Sequence, residues 1–173
     1  MTQYIDKYLD ESLRVAKLQL ELKPTFLEIA NQVLERVLQD GTVFFCGNGG
    51  SAADSQHLAA ELVGRFKKNR KPIRSISLTT DTSIITSTGN DFSFDEIFSR
   101  QLTAIGRKGD VLIAISTSGE SKNVINAVNY ANEIGMLTIA FTKKDDNSLS
   151  SITKLCLPIP SQETGVIQQG HIT

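Results

Sequence analysis

Residues 43–61 read VFFCGNGGSAADSQHLAAE, and this stretch decides the fold. Its apolar beginning is short and contains β-branched and aromatic residues, which is typical of a strand buried on both faces. The glycines that follow permit a tight turn, and Ser51 with Asp54 three residues later resembles a capping box. The pattern predicts a strand, a glycine loop and a helix, with loop N–H groups suited to an anion such as a phosphate ester.

His57 and Glu61 lie one helical turn apart in the same stretch, so both side chains project from one face of the predicted helix. Histidine and carboxylate are both zinc ligands. A His–Glu pair at this spacing is, however, more often a surface hydrogen-bonding pair than a metal site. The pair alone therefore indicates a candidate site and no more.

Strands and helices alternate from Thr42 onward. Short connections between such elements indicate a parallel sheet of five strands with helices on both faces, a three-layer α/β/α fold. Two amphipathic helices precede the sheet, the first interrupted at Pro24 and the second starting at Thr25 and stopping near Gly41. The predicted strands lie near 42–46, 74–78, 111–115, 136–141 and 155–159, and the later helices near 51–64, 81–88, 93–105, 121–134 and from about Glu163.

Composition excludes several classes of protein. The chain has 18 basic and 19 acidic residues, so its charge gives no argument for binding nucleic acid. The basic cluster at 67–71 is interpreted as a solvated loop, with a binding patch as the alternative. No stretch predicts a membrane span or signal peptide, and two cysteines in apolar runs form no disulfide framework. We therefore expect a cytoplasmic protein.

Polar loops follow three of the predicted strands. They are residues 48–51, residues 79–81 leading on to 90–91, and the serine-rich loop 116–121. Ligands of parallel α/β sheets bind at the carboxyl ends of the strands, where these loops meet. Hydroxyl and N–H groups at a helix N-terminus can hold a phosphate, and two such loops together favour binding over ordinary capping.

The arrangement of these motifs resembles the bacterial phosphoheptose isomerases of the sugar-isomerase (SIS) fold. The resemblance covers nearly the whole chain, and the segment from Cys46 to Leu62 is its most specific part. It implies a flavodoxin-like SIS domain over 41–173, with residues 1–40 forming helices that pack on the sheet and in the oligomer. The matching segments are CGNGGSAADSQHLAAEL (46–62), LTTDT (78–82), GND (89–91), STSGES (116–121) and IQ (167–168).

The resemblance also implies a function. Members of this family convert sedoheptulose 7-phosphate to D-glycero-D-manno-heptose 7-phosphate for lipopolysaccharide or capsule heptose synthesis, as cytosolic homotetramers whose active sites are shared between subunits. By position, one Zn²⁺ per site would be bound by His57, Glu61 and Gln168, and Glu61 would also transfer the proton. The substrate would contact Asn48, Gly49, Gly50, Ser51, Glu61, Asn90, Asp91, Ser116, Thr117, Ser118, Ser121 and Gln168.

Isomerisation between an aldose and a ketose moves a proton between adjacent carbons through an enediol. It needs a base and a group that stabilises an oxyanion, and zinc polarises carbonyl and hydroxyl oxygens. These requirements match the residue types that the resemblance assigns to the site.

The C-terminal residues depart from the family pattern. The family usually reads Arg-Ile-Gln-Glu where this chain has Val-Ile-Gln-Gln at 166–169. Its second histidine, a zinc ligand and proposed general acid, would lie beyond Thr173, and His171 does not match it in spacing. The sequence stops within an apparent helix, so we expect it to be truncated and the fourth zinc position to be absent or filled by water.

Two alternatives stay open from the sequence. One is a tetrameric SIS protein without catalytic activity that binds the bacterial replication initiator, which the altered C-terminus favours and the retained His57, Glu61 and Gln168 oppose. The other is a sensor or isomerase for a different sugar phosphate. A regulator would carry a DNA-binding domain, and the first forty residues show no recognition-helix pattern. We therefore expect neither nucleic acid nor membrane as a partner.

Overall fold

Five parallel strands form one sheet in the computed structural model, which describes residues 2–173. The order of the strands is β2-β1-β3-β4-β5, and every pair of neighbours is parallel. The prediction of a five-stranded parallel sheet is therefore confirmed. The strands are β1 (Val43–Gly47), β2 (Ser75–Ser77), β3 (Val111–Ile115), β4 (Leu137–Lys143) and β5 (Leu155–Ile159).

Helices cover both faces of this sheet, as the alternating pattern predicts. Within residues 2–173, no helix has the length and apolar character needed to cross a bilayer. Short 3₁₀ segments lie at Gln19–Leu22 and Phe94–Glu96. The helices are α1 (Thr2–Leu18), α2 (Lys23–Leu38), α3 (Gly50–Val63), α4 (Thr82–Asp91), α5 (Ser99–Ile105), α6 (Lys122–Glu133), α7 (Ser148–Ile152) and α8 (Thr164–Ile172).

Side chains of β1 alternate between two cores. Phe44 and Cys46 join the core beneath α5, α6 and α7, whereas Val43 and Phe45 join the core beneath α1, α2, α3 and α8. All five residues of the strand are buried because helices lie on both sides. Packing between the two layers of helices fixes the position of the glycine loop that follows β1.

The N-terminal helices differ in detail from the prediction. The break between them lies at Gln19–Leu22, before Pro24, and α2 begins at Lys23 instead of Thr25. Proline is tolerated here because it occupies the first turn of α2, where its missing N–H has no helical acceptor. The helix ends at Leu38, close to the stop predicted near Gly41, and the residue with positive φ after it is Asp40, at 65°.

The region predicted as one helix over 93–105 contains two elements. Ser93 accepts a hydrogen bond from the Asp95 N–H at 3.1 Å and starts the 3₁₀ segment. Ile97 and Phe98 then enter the core, and α5 begins at Ser99. Burial of these two side chains explains why a continuous helix was the wrong prediction. The short α7 was not predicted because its polar sequence has no apolar period.

His171 is buried in α8 beside Phe141, with the ring centroids 6.0 Å apart. Burial lowers the pKa of His171 to about 4. The Thr142 backbone lies beside the ring, but neither ring nitrogen makes a hydrogen bond of normal geometry among the described residues. The folded chain therefore holds this imidazole neutral.

We expect the free energy of unfolding to decrease as the pH falls from about 6.5 to about 4. The unfolded chain protonates His171 near its ordinary pKa and the folded chain does not, so protons favour the unfolded state. The contribution of the neutral ring is complete above pH 6.5. Urea unfolding at pH 7 and pH 4.5 should show a loss about 2 kcal/mol larger in wild type than in His171→Leu. Equal losses in the two proteins would contradict this assignment.

Candidate active site

The loops after β1 and β3 meet at the point where the order of the strands switches. β1 pairs with β2 on one side and with β3 on the other. The connections that leave β1 and β3 therefore diverge, and a crevice opens between their carboxyl ends. The sequence places its two most polar loops at this crevice.

The first loop presents backbone N–H groups. Gly49 has a φ of 55°, which glycine adopts easily, and α3 begins at Gly50 without a side-chain cap. Within residues 2–173, the N–H groups of Gly49, Gly50 and Ser51 have no hydrogen-bond acceptor. The predicted capping box was wrong, since Asp54 caps nothing and the Ser51 carbonyl instead accepts a hydrogen bond from the Ser55 hydroxyl at 2.7 Å. The open N–H groups suit an anionic ligand.

The third loop gathers hydroxyl groups. Ser116 Oγ lies 3.2 Å from Ser121 Oγ and 3.4 Å from Ser118 Oγ, and it accepts a hydrogen bond from the Gly119 N–H at 3.1 Å. Thr117 is half-buried in the same loop. The cluster places several donors within a few ångströms at the start of α6, which is the arrangement that phosphate binding requires.

The second loop is joined to α3 by Thr79. Its hydroxyl donates to the Ala52 carbonyl at 3.3 Å and accepts a hydrogen bond from Gln56 Nε2 at 3.1 Å. Asn90 and Asp91 lie farther along the chain, at the exposed end of α4, where Asn90 Nδ2 donates to Asp91 Oδ1 at 2.8 Å. Within the described chain, neither side chain forms a hydrogen bond with the other two loops. Their role as substrate contacts stays a prediction.

His57 and Glu61 are brought together on α3, as their spacing predicts. The distance from His57 Nε2 to Glu61 Oε1 is 3.7 Å. Glu61 Oε2 is buried and has no hydrogen-bond partner among the described residues. Two ligands of a tetrahedral zinc, each about 2.1 Å from the metal, lie about 3.4 Å apart. The separation of the pair therefore fits a shared cation. Such a cation would also compensate the charge of a carboxylate that has an unpartnered oxygen.

Gln168 lies on α8 beside the glycine loop. Its carboxamide is so close to Gly50 that a β-carbon at that position would overlap it. Gln168 and Asp54 line a cavity of about 560 Å³, which shares Ile172 with the groove that holds His57 and Glu61. Within residues 2–173, no three His, Cys, Asp or Glu side chains cluster in metal-binding geometry. The chain thus supplies the His57–Glu61 pair, with Gln168 in the adjoining cavity.

The sequence analysis did not assign two residues to this site. Asp54 is buried, and burial raises the pKa of its carboxyl group while the nearby His57 opposes the shift. Asn123 is buried at the start of α6 and pairs with Asn48. The capping interpretation of Asp54 hid its position. An asparagine at the start of the helix that follows the serine loop is the sequence signal that would have identified Asn123.

Comparison with known proteins places this fold in a defined class. The family model of the SIS domain matches residues 4–143, which include the N-terminal helices and the first four strands. The structure of phosphoheptose isomerase from Neisseria gonorrhoeae superimposes with a TM-score of 0.91 at 40% identity, covering 99% of this chain and 92% of that one. This is the SIS fold that the motifs predict.

Curated relatives narrow the class further. Phosphoheptose isomerase of Rhodospirillum rubrum is 50% identical over 149 residues, covering 86% of this chain and 79% of the relative. That of Aquifex aeolicus is 46% identical over 173 residues, covering 95% and 91%. The chain belongs to the phosphoheptose isomerase family. The predicted family is therefore confirmed, and the chain is an isomerase.

Proposed function

We propose that this enzyme converts sedoheptulose 7-phosphate to D-glycero-D-manno-heptose 7-phosphate by proton transfer through an enediol. The observation that carries the proposal is the crevice between β1 and β3, where the glycine loop with its open N–H groups is hydrogen-bonded through Asn48 to the start of α6, which follows the hydroxyl cluster. The His57–Glu61 pair lies on α3, the helix that follows the glycine loop. Membership of the phosphoheptose isomerase family supports this choice of substrate. The product would enter heptose synthesis for lipopolysaccharide or capsule.

Substrate binding divides between the loops. The hydroxyls of the 116–121 loop bind the phosphate through neutral donors, because that loop contains no Lys or Arg. The glycine loop donates backbone N–H groups to the sugar phosphate. The residues that we assign to the substrate are Asn48, Gly49, Gly50, Ser51, Glu61, Asn90, Asp91, Ser116, Thr117, Ser118, Ser121 and Gln168.

Glu61 is the proposed base. Its carboxylate lies on the α3 face that borders the groove, with one oxygen buried and free of protein partners among residues 2–173. Its other oxygen, Oε1, lies 3.7 Å from His57 Nε2 on a side chain that is 33% accessible. This oxygen can accept a proton from one carbon of the bound sugar and return it to the next. The adjacent His57 is exposed enough to reach a ligand, with 56% of its side chain accessible.

We propose one Zn²⁺ per site, held by His57 and Glu61 with Gln168 as a further ligand. The fit of the His57–Glu61 separation and the buried free oxygen of Glu61 support it. When bound, the ion would polarise the carbonyl and hydroxyl oxygens between which the proton moves. Within this chain, Glu61 carries out the proton transfer and the two loops orient the sugar.

We propose a homotetramer with active sites shared between subunits. Apolar side chains of α1, of the 3₁₀ segment Gln19–Leu22 and of α2 remain exposed, among them Tyr4 at 71%, Leu20 at 78% and Leu38 at 77%. Exposed apolar side chains on successive helices are typical of subunit interfaces. A mass in light scattering equal to that of one 18.9 kDa chain, instead of four chains, would refute this arrangement.

We also propose that the enzyme is cytoplasmic, because its cysteines are free and its proposed substrate is a sugar phosphate.

The metal requirement is tested by chelation. We expect the purified enzyme to lose turnover of sedoheptulose 7-phosphate after dialysis against a chelator and to regain it with added zinc. Metal analysis before and after dialysis shows whether the ion was removed. Fructose 6-phosphate, a shorter ketose phosphate, serves as the substrate control and should react far more slowly. Full activity in protein shown to be free of metal would exclude the zinc proposal.

A further inference from the structure

Asn123 connects the two loops that we assign to the substrate. It is the second residue of α6, directly after the serine loop, and only 2% of it is exposed. Its Nδ2 donates to Asn48 Oδ1 at 2.8 Å, and Asn48 Nδ2 donates back to Asn123 Oδ1 at 2.8 Å. The pair bridges 75 residues of sequence. It therefore fixes the glycine loop relative to the start of α6.

A third hydrogen bond gives this amide pair a single orientation. Asn123 Oδ1 also accepts from the Val124 backbone N–H at 2.9 Å. If both amides turned over together, their two mutual hydrogen bonds would survive. The Asn123 NH₂ group would then face the Val124 N–H, donor against donor. The backbone of α6 thus orients Asn123, and Asn123 in turn orients Asn48.

We propose that Asn123 is a positioning residue for the isomerase reaction, acting only through Asn48. A side-chain amide has two N–H groups and two acceptor lone pairs, and the pair with Asn123 uses one of each. The remaining N–H and lone pair of Asn48 are held in fixed places for the sugar phosphate. The inference rests on the proposed function, in which Asn48 contacts the substrate.

The variant that tests this role is Asn123→Asp, which keeps the size of the side chain. Its carboxylate still accepts from Val124 and from Asn48 Nδ2, but a second acceptor now faces Asn48 Oδ1. No rotation of Asn48 satisfies both oxygens. Displacing a substrate contact by about 1 Å can cost about a hundredfold in rate, so we expect kcat/KM for sedoheptulose 7-phosphate to fall at least about tenfold, mainly through KM.

Asn132→Asp is the matched control. Asn132 lies on the same helix, donates to the Ile152 carbonyl at 2.7 Å and accepts from Thr138 Oγ1 at 2.8 Å. It lies near the other end of α6 from the serine loop, so this variant should lower thermal stability without changing KM. Asn123→Ala provides a second test that introduces no charge. Asn123→Ala should also raise KM, and it serves as the test if Asn123→Asp fails to fold.

A double-mutant cycle separates positioning from general stability. In an Asn48→Ala background, replacing Asn123 by Asp or Ala should change kcat/KM less than about twofold, because its target is already absent. Equal fold losses in both backgrounds, or an Asn123 variant indistinguishable from Asn132→Asp, would overturn the inference alone. A wild-type protein that leaves sedoheptulose 7-phosphate unchanged would overturn the proposed function, and this inference with it.

Discussion

Glu61→Gln should reduce kcat by about 10²- to 10⁴-fold, the range that a general base contributes. The substitution keeps the shape of the side chain and removes its ability to take a proton. The fold should be preserved, because Glu61 Oε2 has no hydrogen-bond partner among residues 2–173 whose loss would destabilise it. Steady-state kinetics with sedoheptulose 7-phosphate and a thermal melt together measure the two effects.

Glu133→Gln is the control for Glu61→Gln, since it removes the same charge from the exposed end of α6. It should leave kcat unchanged. Metal analysis of Glu61→Gln distinguishes the two roles proposed for Glu61. If the variant keeps its zinc but loses turnover, the carboxylate transfers the proton. If the variant loses its zinc, the main role of the carboxylate is to bind the ion. Turnover at the wild-type rate in Glu61→Gln would refute both.

Gly119→Ala should weaken both the fold and phosphate binding. Gly119 has a φ of 73°, a conformation that costs alanine on the order of 1–3 kcal/mol. An added β-carbon would also overlap the side chain of Asn147, which caps α7 by accepting from the Ser150 N–H. The Gly119 N–H that donates to Ser116 would move with the loop. We expect a lower midpoint of urea unfolding. We also expect KM to rise at least about tenfold, because the loop hydroxyls that bind the phosphate lose their arrangement.

Gly109→Ala separates strain from position. Gly109 also has a positive φ, of 93°, but a methyl group added there would have no atom of residues 2–173 within 4 Å. The residue precedes β3, so it lies at the amino ends of the strands, opposite the polar loops. This variant should lose stability without a change in KM. If Gly119→Ala and Gly109→Ala have the same KM as wild type, the serine loop does not bind the phosphate.

The strands could be predicted from the sequence because helices bury them on both faces. Val111–Ile115 is apolar throughout and fully buried, so its run of five residues stands out from the amphipathic helices around it. The loops after β1 and β3 followed from the same alternation. The two loops meet at the carboxyl ends of the strands because β1 and β3 are parallel neighbours, which their pairing confirms.

The contacts within the site could not be predicted in this way. The Asn48–Asn123 pair depends on two loops far apart in sequence, and no local pattern encodes it. Asp54 was interpreted as part of a cap because only the three-residue spacing was visible, although glycine at 49 provides the turn. The position of Gln168 against Gly50 likewise depends on how α8 returns to the sheet. Local periodicity determines elements, and long-range packing determines their side-chain partners.

The most direct test is to incubate the purified chain, with zinc, with sedoheptulose 7-phosphate and to follow the sugar by NMR. We expect aldose signals of D-glycero-D-manno-heptose 7-phosphate to grow as the ketose signals decline, until the two sugars reach equilibrium. Protein that binds zinc and remains folded, yet leaves the ketose signals unchanged, would contradict the assignment of this crevice as the active site of a heptose phosphate isomerase.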